Sequence, residues 1–177
     1  MNILFSENKE EIERIKAKYP AEHRRSAVMP LLFLAQRKEG FISEESMQEI
    51  GDILDISSTE VASVVGFYTL FHEEPGGRYR IQVCNDIACA LRGADEFLNQ
   101  FCEYLGVQPG ETTEDGLFSV EAVMCLASCN KAPMFQVQGD GAITYHDHQT
   151  LDSAKVFIEE KRRQHQDVRL STKESDA

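Results

Sequence analysis

The chain has 177 residues, of which 42% are hydrophobic, enough for one good core or for a compact domain with a helical appendage. Its 18 basic and 30 acidic residues give a net charge of −12, which argues against nucleic acid and against anionic lipid surfaces as partners. No apolar run approaches the roughly 20 residues that span a bilayer, so we expect a soluble protein with no direct membrane insertion.

The N-terminal part of the chain is predicted to be helical. Amphipathic segments cover about 7–19, 26–40 and 43–54, and the first of them ends at a proline, which cannot continue a helix. A fourth helix begins at Ser57, because Ser57 and Glu60 have the spacing of a capping box. Its predicted buried stripe consists of Val61, Val64, Val65 and Tyr68. Short connections between these segments predict a small helical bundle.

The segment Glu-Glu-Pro-Gly-Gly at 73–77 interrupts the helical pattern. It predicts a domain boundary, with an N-terminal helical bundle over 1–75 and an α/β domain over 76–160. A last helix is expected to begin near 148–150. The remaining residues, 161–177, are polar, and we expect them to form a disordered tail.

Strands and helices alternate in the predicted α/β domain. Strands are expected over 79–83 and 118–124, with a helix over about 91–105 between them. Segments 134–137 and 142–145 are joined by a Gly-Asp-Gly turn, which predicts a β-hairpin.

The most informative pattern is formed by four cysteines spaced C-x4-C and C-x3-C, with 35 residues between the pairs: Cys84, Cys89, Cys125 and Cys129. Each iron of a [2Fe-2S] cluster needs two protein sulfurs, so one short loop can serve each iron. Both pairs begin where a predicted strand ends, which places the loops together at one edge of the sheet. We therefore predict a [2Fe-2S] site near the surface, a location that suits electron transfer. Cys102 lies on an apolar helical stripe and is predicted to be a buried hydrophobe rather than a ligand.

Other roles for the thiols stay open at this point. An all-cysteine zinc site needs the same ligands, although structural zinc loops usually begin with a two-residue gap, which neither loop has. Disulfides would suit an exported protein, but the chain opens without a signal-peptide pattern, so we expect a reducing cytosol. A Cys-x-x-Cys redox pair is absent from the sequence. A Rieske centre is disfavoured because no histidine pair lies in the loops; His146 and His148, in a polar stretch, are expected to be solvated surface residues.

At the cysteine loops the chain resembles a known family. The matching segments are SAVMP at 26–30, VGFYTLF at 65–71, IQVC at 81–84, LRG at 91–93, GLF at 116–118, CLASC at 125–129 and APM at 132–134. Together they resemble the small thioredoxin-like [2Fe-2S] subunit of the NADH-dehydrogenase module of respiratory complex I. The similarity extends over about residues 10–160, and the cysteine spacing combined with the Phe-Tyr-Thr segment is highly specific.

The resemblance implies an α/β chain in which an N-terminal helical bundle is followed by a thioredoxin-like [2Fe-2S] ferredoxin domain, with one cluster bound by Cys84, Cys89, Cys125 and Cys129. It also implies a partner, the flavoprotein NADH-binding subunit, which carries FMN and its own [4Fe-4S] cluster. This sequence has no Gly-x-Gly-x-x-Gly motif after a strand, so NADH and FMN are expected only in the partner. The chain would exchange single electrons with the flavin, in the peripheral arm of a membrane-bound complex on the cytoplasmic side.

The leading functional hypothesis is an electron-transfer subunit of NADH:quinone oxidoreductase. The alternative is the equivalent diaphorase subunit of an NAD-linked hydrogenase or formate dehydrogenase. A free ferredoxin is disfavoured by the helical N-terminal segment, which a mobile carrier does not need. A zinc-stabilised interaction module would be colourless and redox-silent.

The second cysteine loop departs from the pattern of the family, whose members commonly have glycine where this chain has Ala127. If the backbone has a positive φ there, alanine costs on the order of 1 kcal/mol. A hydroxyl of Ser128 directed at a cluster sulfur would favour the reduced state and raise the potential. Thioredoxin-like folds place a cis-proline at the position of Pro133, so the Ala132-Pro133 bond is predicted to be cis.

Three aromatic residues, Phe67, Tyr68 and Phe71, follow at helical spacing in the fourth helix. Such a pattern favours burial in the core. Docking of part of this face on the flavoprotein subunit is the alternative interpretation.

Overall fold

The computed structural model describes the backbone of residues 8–175 and the side chains of residues 8–166. The chain divides into two compact units, Met1–Pro75 and Gly76–Ala177, at the point where the sequence changes from a helical to an alternating pattern. No helix in the described part of the chain is both long enough and apolar enough to cross a membrane.

Helices build the N-terminal unit. They are α1 (Lys9–Lys16), a 3₁₀ helix (Ala21–Ala27), α2 (Val28–Glu39), α3 (Glu44–Leu54) and α4 (Ser58–Phe67). Local caps explain two of the starts: the Ser43 hydroxyl accepts from the Ser46 N–H, and the Ser57 hydroxyl accepts from the Glu60 N–H. The Glu60 carboxylate in turn accepts from the Ser57 N–H at 3.1 Å, so the predicted capping box is confirmed.

One apolar core joins the helices of this unit. Its members include the fully buried side chains of Ile12, Leu31, Ile50 and Val61. Phe71 follows α4 and completes the core, with its ring centroid 4.9 Å from that of Phe33. Because these side chains come from every helix, their burial stabilises the whole bundle rather than any single helix.

The three aromatic residues near the end of α4 have different environments. Phe71 is 6% exposed, whereas Phe67 is 75% and Tyr68 is 43% exposed. The helix ends at Phe67, and Tyr68 has an extended backbone with φ −102° and ψ 113°. Helical spacing therefore no longer applies at Tyr68, and its predicted burial is wrong. The core interpretation holds for Phe71 alone.

The C-terminal unit is an α/β fold. Its elements are β1 (Tyr79–Cys84), α5 (Ile87–Ala90), α6 (Ala94–Leu105), β2 (Phe118–Val123), a 3₁₀ turn (Cys129–Lys131), β3 (Phe135–Gly139), β4 (Ala142–His146) and α7 (Leu151–Ser175). The sheet order is β2-β1-β3-β4, with β1 parallel to β2 and antiparallel to β3. The predicted hairpin is confirmed as β3 and β4, whose turn has positive φ at Asp140 and Gly141. The helix predicted over 91–105 begins at Ala94, because Gly93, with φ 86°, separates it from α5.

Alternate residues of the strands face the helices and form the core of this unit. Phe135 of β3 stacks on Phe97 and Phe101 of α6, with centroid distances of 6.3 and 6.0 Å. Ala154 of α7 is fully buried against the same cluster. Cys102 is 4% exposed within this core, as predicted, and burial raises its pKa. A buried neutral thiol of this kind packs as a small apolar group.

The end of β4 differs from the sequence expectation. The ring of His146 lies 4.8 Å from Phe135 and 4.8 Å from Phe157, between centroids. Burial lowers the pKa of His146, with a further contribution from the charge of Lys161. The predicted surface location is therefore wrong for His146, whereas His148 is exposed.

The last helix is longer than the sequence predicts. It continues through Ser175, so helix replaces the disordered tail expected from Lys161, and only residues 176–177 of that tail lie outside the described residues. Contacts of long basic side chains explain part of the difference. The Lys161 ammonium lies 4.9 Å from the Tyr79 ring centroid, and Arg162 forms an ion pair with Asp115 at 3.5 Å. Such side chains bind the helix to the unit through their stems as well as their charges.

Candidate metal centre

The first cysteine pair comes from the end of the central strand and the short helix after it. Cys84 is the last residue of β1, and its N–H lies 3.4 Å from the carbonyl of Met134. The Asp86 carboxylate then accepts from the N–H of Ile87 at 2.8 Å and starts α5. The N–H of Cys89 donates to the Asp86 carbonyl at 2.8 Å, so this single helical turn returns the chain to Cys84.

The second cysteine pair follows the neighbouring parallel strand. Val123 at the end of β2 is in register with Cys84, so Cys125, two residues later, emerges beside the first loop. Ala127 has φ 59°, which turns the loop back before Cys129 begins a 3₁₀ turn. Cys125 and Cys129 are exposed, in contrast to the buried first pair. Ala127 therefore has the positive φ at which alanine is expected to be less favourable than glycine.

The four thiols interact with one another. Burial, a hydrogen bond with Cys84 and the charges of Cys84, Cys129 and Cys125 raise the pKa of Cys89 to about 12. A hydrogen bond with Cys125 and the charge of Cys125, followed by burial and the charge of Cys84, raise the pKa of Cys129. The thiols are thus arranged as two hydrogen-bonded pairs that lie within electrostatic reach of each other. Among residues 8–166, whose side chains the structure describes, no group of three or more His, Cys, Asp or Glu side chains is placed to hold a single metal ion.

Apolar side chains surround the first pair. Cys84 and Cys89 share a small buried cluster with Ala94, Ala132 and Met134, against which Leu126 packs. This environment keeps water from the inner side of the site, while the outer side carries the exposed second loop. The hydrophobic shell of a metal site sets its solvent access and local dielectric, and so its potential.

Polar contacts hold the second loop in place. Asp147 accepts from the Ser128 hydroxyl at 3.3 Å and from the Lys131 ammonium at 2.7 Å. The Lys131 hydrogen bond is the main cause of the lowered pKa of Asp147, which is therefore a carboxylate at neutral pH. A hydroxyl has one proton to donate, and that of Ser128 is directed at Asp147. Donation by Ser128 to a cluster sulfur stays a prediction, and this contact with Asp147 counts against it.

The segment after the second loop contains the cis bond predicted at Ala132-Pro133. Backbone hydrogen bonds join this segment to the end of the sheet. The N–H of His148 donates to the Lys131 carbonyl at 2.8 Å, and the N–H of Gln149 donates to the Pro133 carbonyl at 2.7 Å. The loop is thus attached to the connection between β4 and α7.

Sequence reasoning missed three residues that shape the site. Asp86, which starts α5, was detectable, because an aspartate before a short apolar run is typical of a helix start. Arg92, whose guanidinium donates to the carbonyl of Asn130 at 3.3 Å, had no local signal. Asp147 had none either, since its partner Ser128 lies 19 positions away in the chain.

Comparisons with known proteins agree with this geometry. A sequence model of the thioredoxin-like [2Fe-2S] ferredoxin family matches residues 12–162. NADH-quinone oxidoreductase subunit 2 of Thermus thermophilus is 44% identical over 137 residues, which cover 77% of this chain and 76% of the relative. A further NADH-quinone oxidoreductase relative, from Rhizobium meliloti, is 40% identical over 148 residues, which cover 84% of this chain and 83% of the relative. The mitochondrial NADH dehydrogenase [ubiquinone] flavoprotein 2 of Dictyostelium discoideum is 41% identical over 135 residues, which cover 76% of this chain and 55% of the relative.

Among solved structures, the crystal structure of an NAD+-reducing [NiFe]-hydrogenase in the air-oxidized state has a similar fold. The TM-score is 0.63 at 21% identity, and the match covers 76% of this chain and 23% of the hydrogenase chain. At that identity the likeness shows the fold alone. Together with the family match over residues 12–162, it confirms the predicted thioredoxin-like architecture. The family match includes both cysteine loops, and the predicted resemblance is confirmed by relatives at 44% and 40% identity. The chain therefore belongs to the thioredoxin-like [2Fe-2S] ferredoxin family.

Proposed function

We propose that this chain is the electron-transfer subunit of an NADH:quinone oxidoreductase, and that Cys84, Cys89, Cys125 and Cys129 hold its [2Fe-2S] cluster. The observation that carries the proposal is that the two cysteine loops follow the ends of the neighbouring parallel strands β1 and β2, where the four thiols interact as two pairs. Two thiolates per iron complete the two tetrahedra of a binuclear cluster. When bound, such a cluster takes up and releases one electron at a time.

The two loops contribute differently to this function. Cys84 and Cys89, which are 2% and 1% exposed, provide a dry and rigid attachment at the end of β1. The high pKa of Cys89 means that its proton leaves only when bound metal compensates the negative charge, so metal binding and deprotonation are coupled. Cys125 and Cys129 form the exposed side, from which an electron donor or acceptor can approach.

Apolar side chains around the loops support docking of a partner protein. Ile87, Leu91 and Met124 are 76%, 85% and 82% exposed. Ile87 and Leu91 flank Cys89, and Met124 precedes Cys125. Exposed apolar residues grouped near a functional site are typical of protein interfaces. We assign this surface to the flavoprotein NADH-binding subunit, whose FMN would exchange single electrons with the cluster, in the peripheral arm on the cytoplasmic side of a membrane-bound complex.

Metal analysis of the full chain, purified anaerobically, tests the cluster assignment. We expect about two irons and two acid-labile sulfides per chain, and an S = 1/2 EPR signal that appears only after dithionite reduction. Replacing Cys125 by alanine should abolish the signal, whereas the matched control Cys102→Ala should retain it. Stoichiometric zinc without an EPR signal would refute electron transfer by this chain.

Co-purification with the flavoprotein subunit tests the docking surface. Leu91→Asp and Met124→Asp should abolish the complex without changing the iron content of the chain. Val156 of α7, which is 68% exposed, provides the matched control, and Val156→Asp should leave the complex intact. A complex that survives both loop substitutions would contradict the assigned surface.

The equivalent subunit of an NAD-linked hydrogenase or formate dehydrogenase is the second candidate, because the hydrogenase chain shares the fold. Its identity of 21% is half the 44% and 40% of the quinone-oxidoreductase relatives, which favours the first candidate. Isolation of the native complex distinguishes the two. NADH-dependent quinone reduction by that complex supports the proposal, and hydrogen-dependent or formate-dependent reduction of NAD+ contradicts it.

A further inference from the structure

The second cysteine loop is held from both sides of Cys129. On one side, the guanidinium of Arg92 donates to the carbonyl of Asn130 at 3.3 Å. On the other side, the carboxylate of Asp147 accepts from the hydroxyl of Ser128 at 3.3 Å. Asn130 and Ser128 are the immediate neighbours of Cys129, so two side chains of opposite charge end one residue away from the same thiol.

Each of these side chains is anchored outside the second loop. The N–H of Arg92 donates to the carbonyl of Cys89 at 3.0 Å, so Arg92 connects the backbone of the first loop to that of the second. Asp147 lies between β4 and α7 and also accepts from the Lys131 ammonium at 2.7 Å. The contacts of Arg92 therefore hold the two cysteine loops close to each other. The contacts of Asp147 attach the second loop to the end of the sheet.

We propose that Arg92 and Asp147 are positioning residues that bracket Cys129 and shift the midpoint potential of the cluster in opposite directions. This inference rests on the proposed [2Fe-2S] cluster. Reduction adds one negative charge, so a nearby cation favours the reduced state and a nearby anion disfavours it. Arg92 therefore raises the potential and Asp147 lowers it, the latter effect being partly offset by Lys131. Both charges are accessible to solvent, so added salt should weaken both effects.

An EPR-monitored redox titration of the full chain tests the inference. Asp147→Asn keeps an oxygen that can accept from Ser128 but removes the charge, and it should raise the midpoint potential. Arg92→Gln keeps an N–H donor and should lower it. The charge-preserving variants Arg92→Lys and Asp147→Glu should stay near the wild-type potential. Glu103→Gln, an exposed charge change at the far end of α6, is the matched control and should cause no shift.

Opposite shifts that shrink with added salt would support the proposal. Shifts of the same sign in both neutral variants, or no shift in either, would overturn it, because a purely structural role predicts no dependence on the sign of the charge. Should a neutral variant fail to hold a cluster, its charge-preserving counterpart is expected to restore the cluster and the wild-type potential; failure to do so would also overturn the proposal. A wild-type chain that contains no iron and sulfide would instead refute the proposed function itself.

Discussion

The backbone at Ala127 provides the sharpest test of how the second cysteine loop is built. Ala127 has φ 59°, a left-handed conformation that brings the Cβ close to the following carbonyl oxygen. That conformation costs a non-glycine residue about 1 to 2 kcal/mol. Glycine pays no such strain but loses about 0.5 to 1 kcal/mol more through its greater freedom in the unfolded chain. The side chain of Ala127 is exposed, so its methyl group contributes little packing.

These terms predict that Ala127→Gly stabilises the C-terminal unit by about 0.5 to 1 kcal/mol. For a unit of about 100 residues this corresponds to an increase in melting temperature of about 2 to 8 °C. Thermal unfolding followed by circular dichroism, on anaerobic samples with matched iron content, measures the shift. Ala142→Gly is the control, because Ala142 is exposed in β4 and has no positive φ, and it should lower the melting temperature. A decrease for both variants would refute the strain argument.

Two further perturbations test the cores of the two units. Phe71→Ala should cost about 3 to 5 kcal/mol of unfolding free energy in chemical denaturation, whereas Phe67→Ala, at an exposed site, should stay within about 0.5 kcal/mol; equal losses would contradict the assigned burial. Burial lowers the pKa of His146, so the unfolded chain binds its proton first as the pH falls. The stability due to neutral His146 is thus present above the unfolded pKa of about 6.5 and is lost as the pH falls through the folded value. His146→Phe, which keeps an aromatic ring there, should reduce the loss of stability between about pH 7 and pH 5, and an unchanged pH profile would contradict this account.

Local signals account for much of what the sequence could predict. The capping box at Ser57 and the glycine-containing turn of the β3-β4 hairpin each depend on residues within a few positions of one another. The cysteine spacing has the same character, because each pair lies within one short loop that follows one strand. Such features depend only on residues that are close together in the sequence, so they can be predicted without knowledge of the tertiary fold.

The errors arose where distant parts of the chain decide the outcome. His146 lies in a polar sequence, but alternate residues of a strand face opposite sides, so the half-buried His146 ring packs against Phe135 and Phe157 while Tyr145 is 53% exposed. Tyr68 follows the helical spacing of α4, yet the helix ends one residue before it. The hydrogen bonds of Asp147 with Ser128 and Lys131 join residues that are 19 and 16 positions apart in the chain. Composition and periodicity carry no information on contacts of this kind.

The unequal exposure of the cysteines leads to a last prediction, which tests the proposed ligands of the second loop, Cys125 and Cys129. Cys125 and Cys129 are exposed, so without bound metal they should react with iodoacetamide much faster than the buried Cys84, Cys89 and Cys102. Mass spectrometry of peptides after timed alkylation measures each rate. In the cluster-containing chain the first two should become protected, because a thiolate bound to iron is not free to attack the reagent. If Cys125 and Cys129 remained equally reactive while iron and sulfide were bound, the second loop would not supply ligands. Cys102 is the control: it is buried but is not a proposed ligand, so its modification should be slow both with and without the cluster.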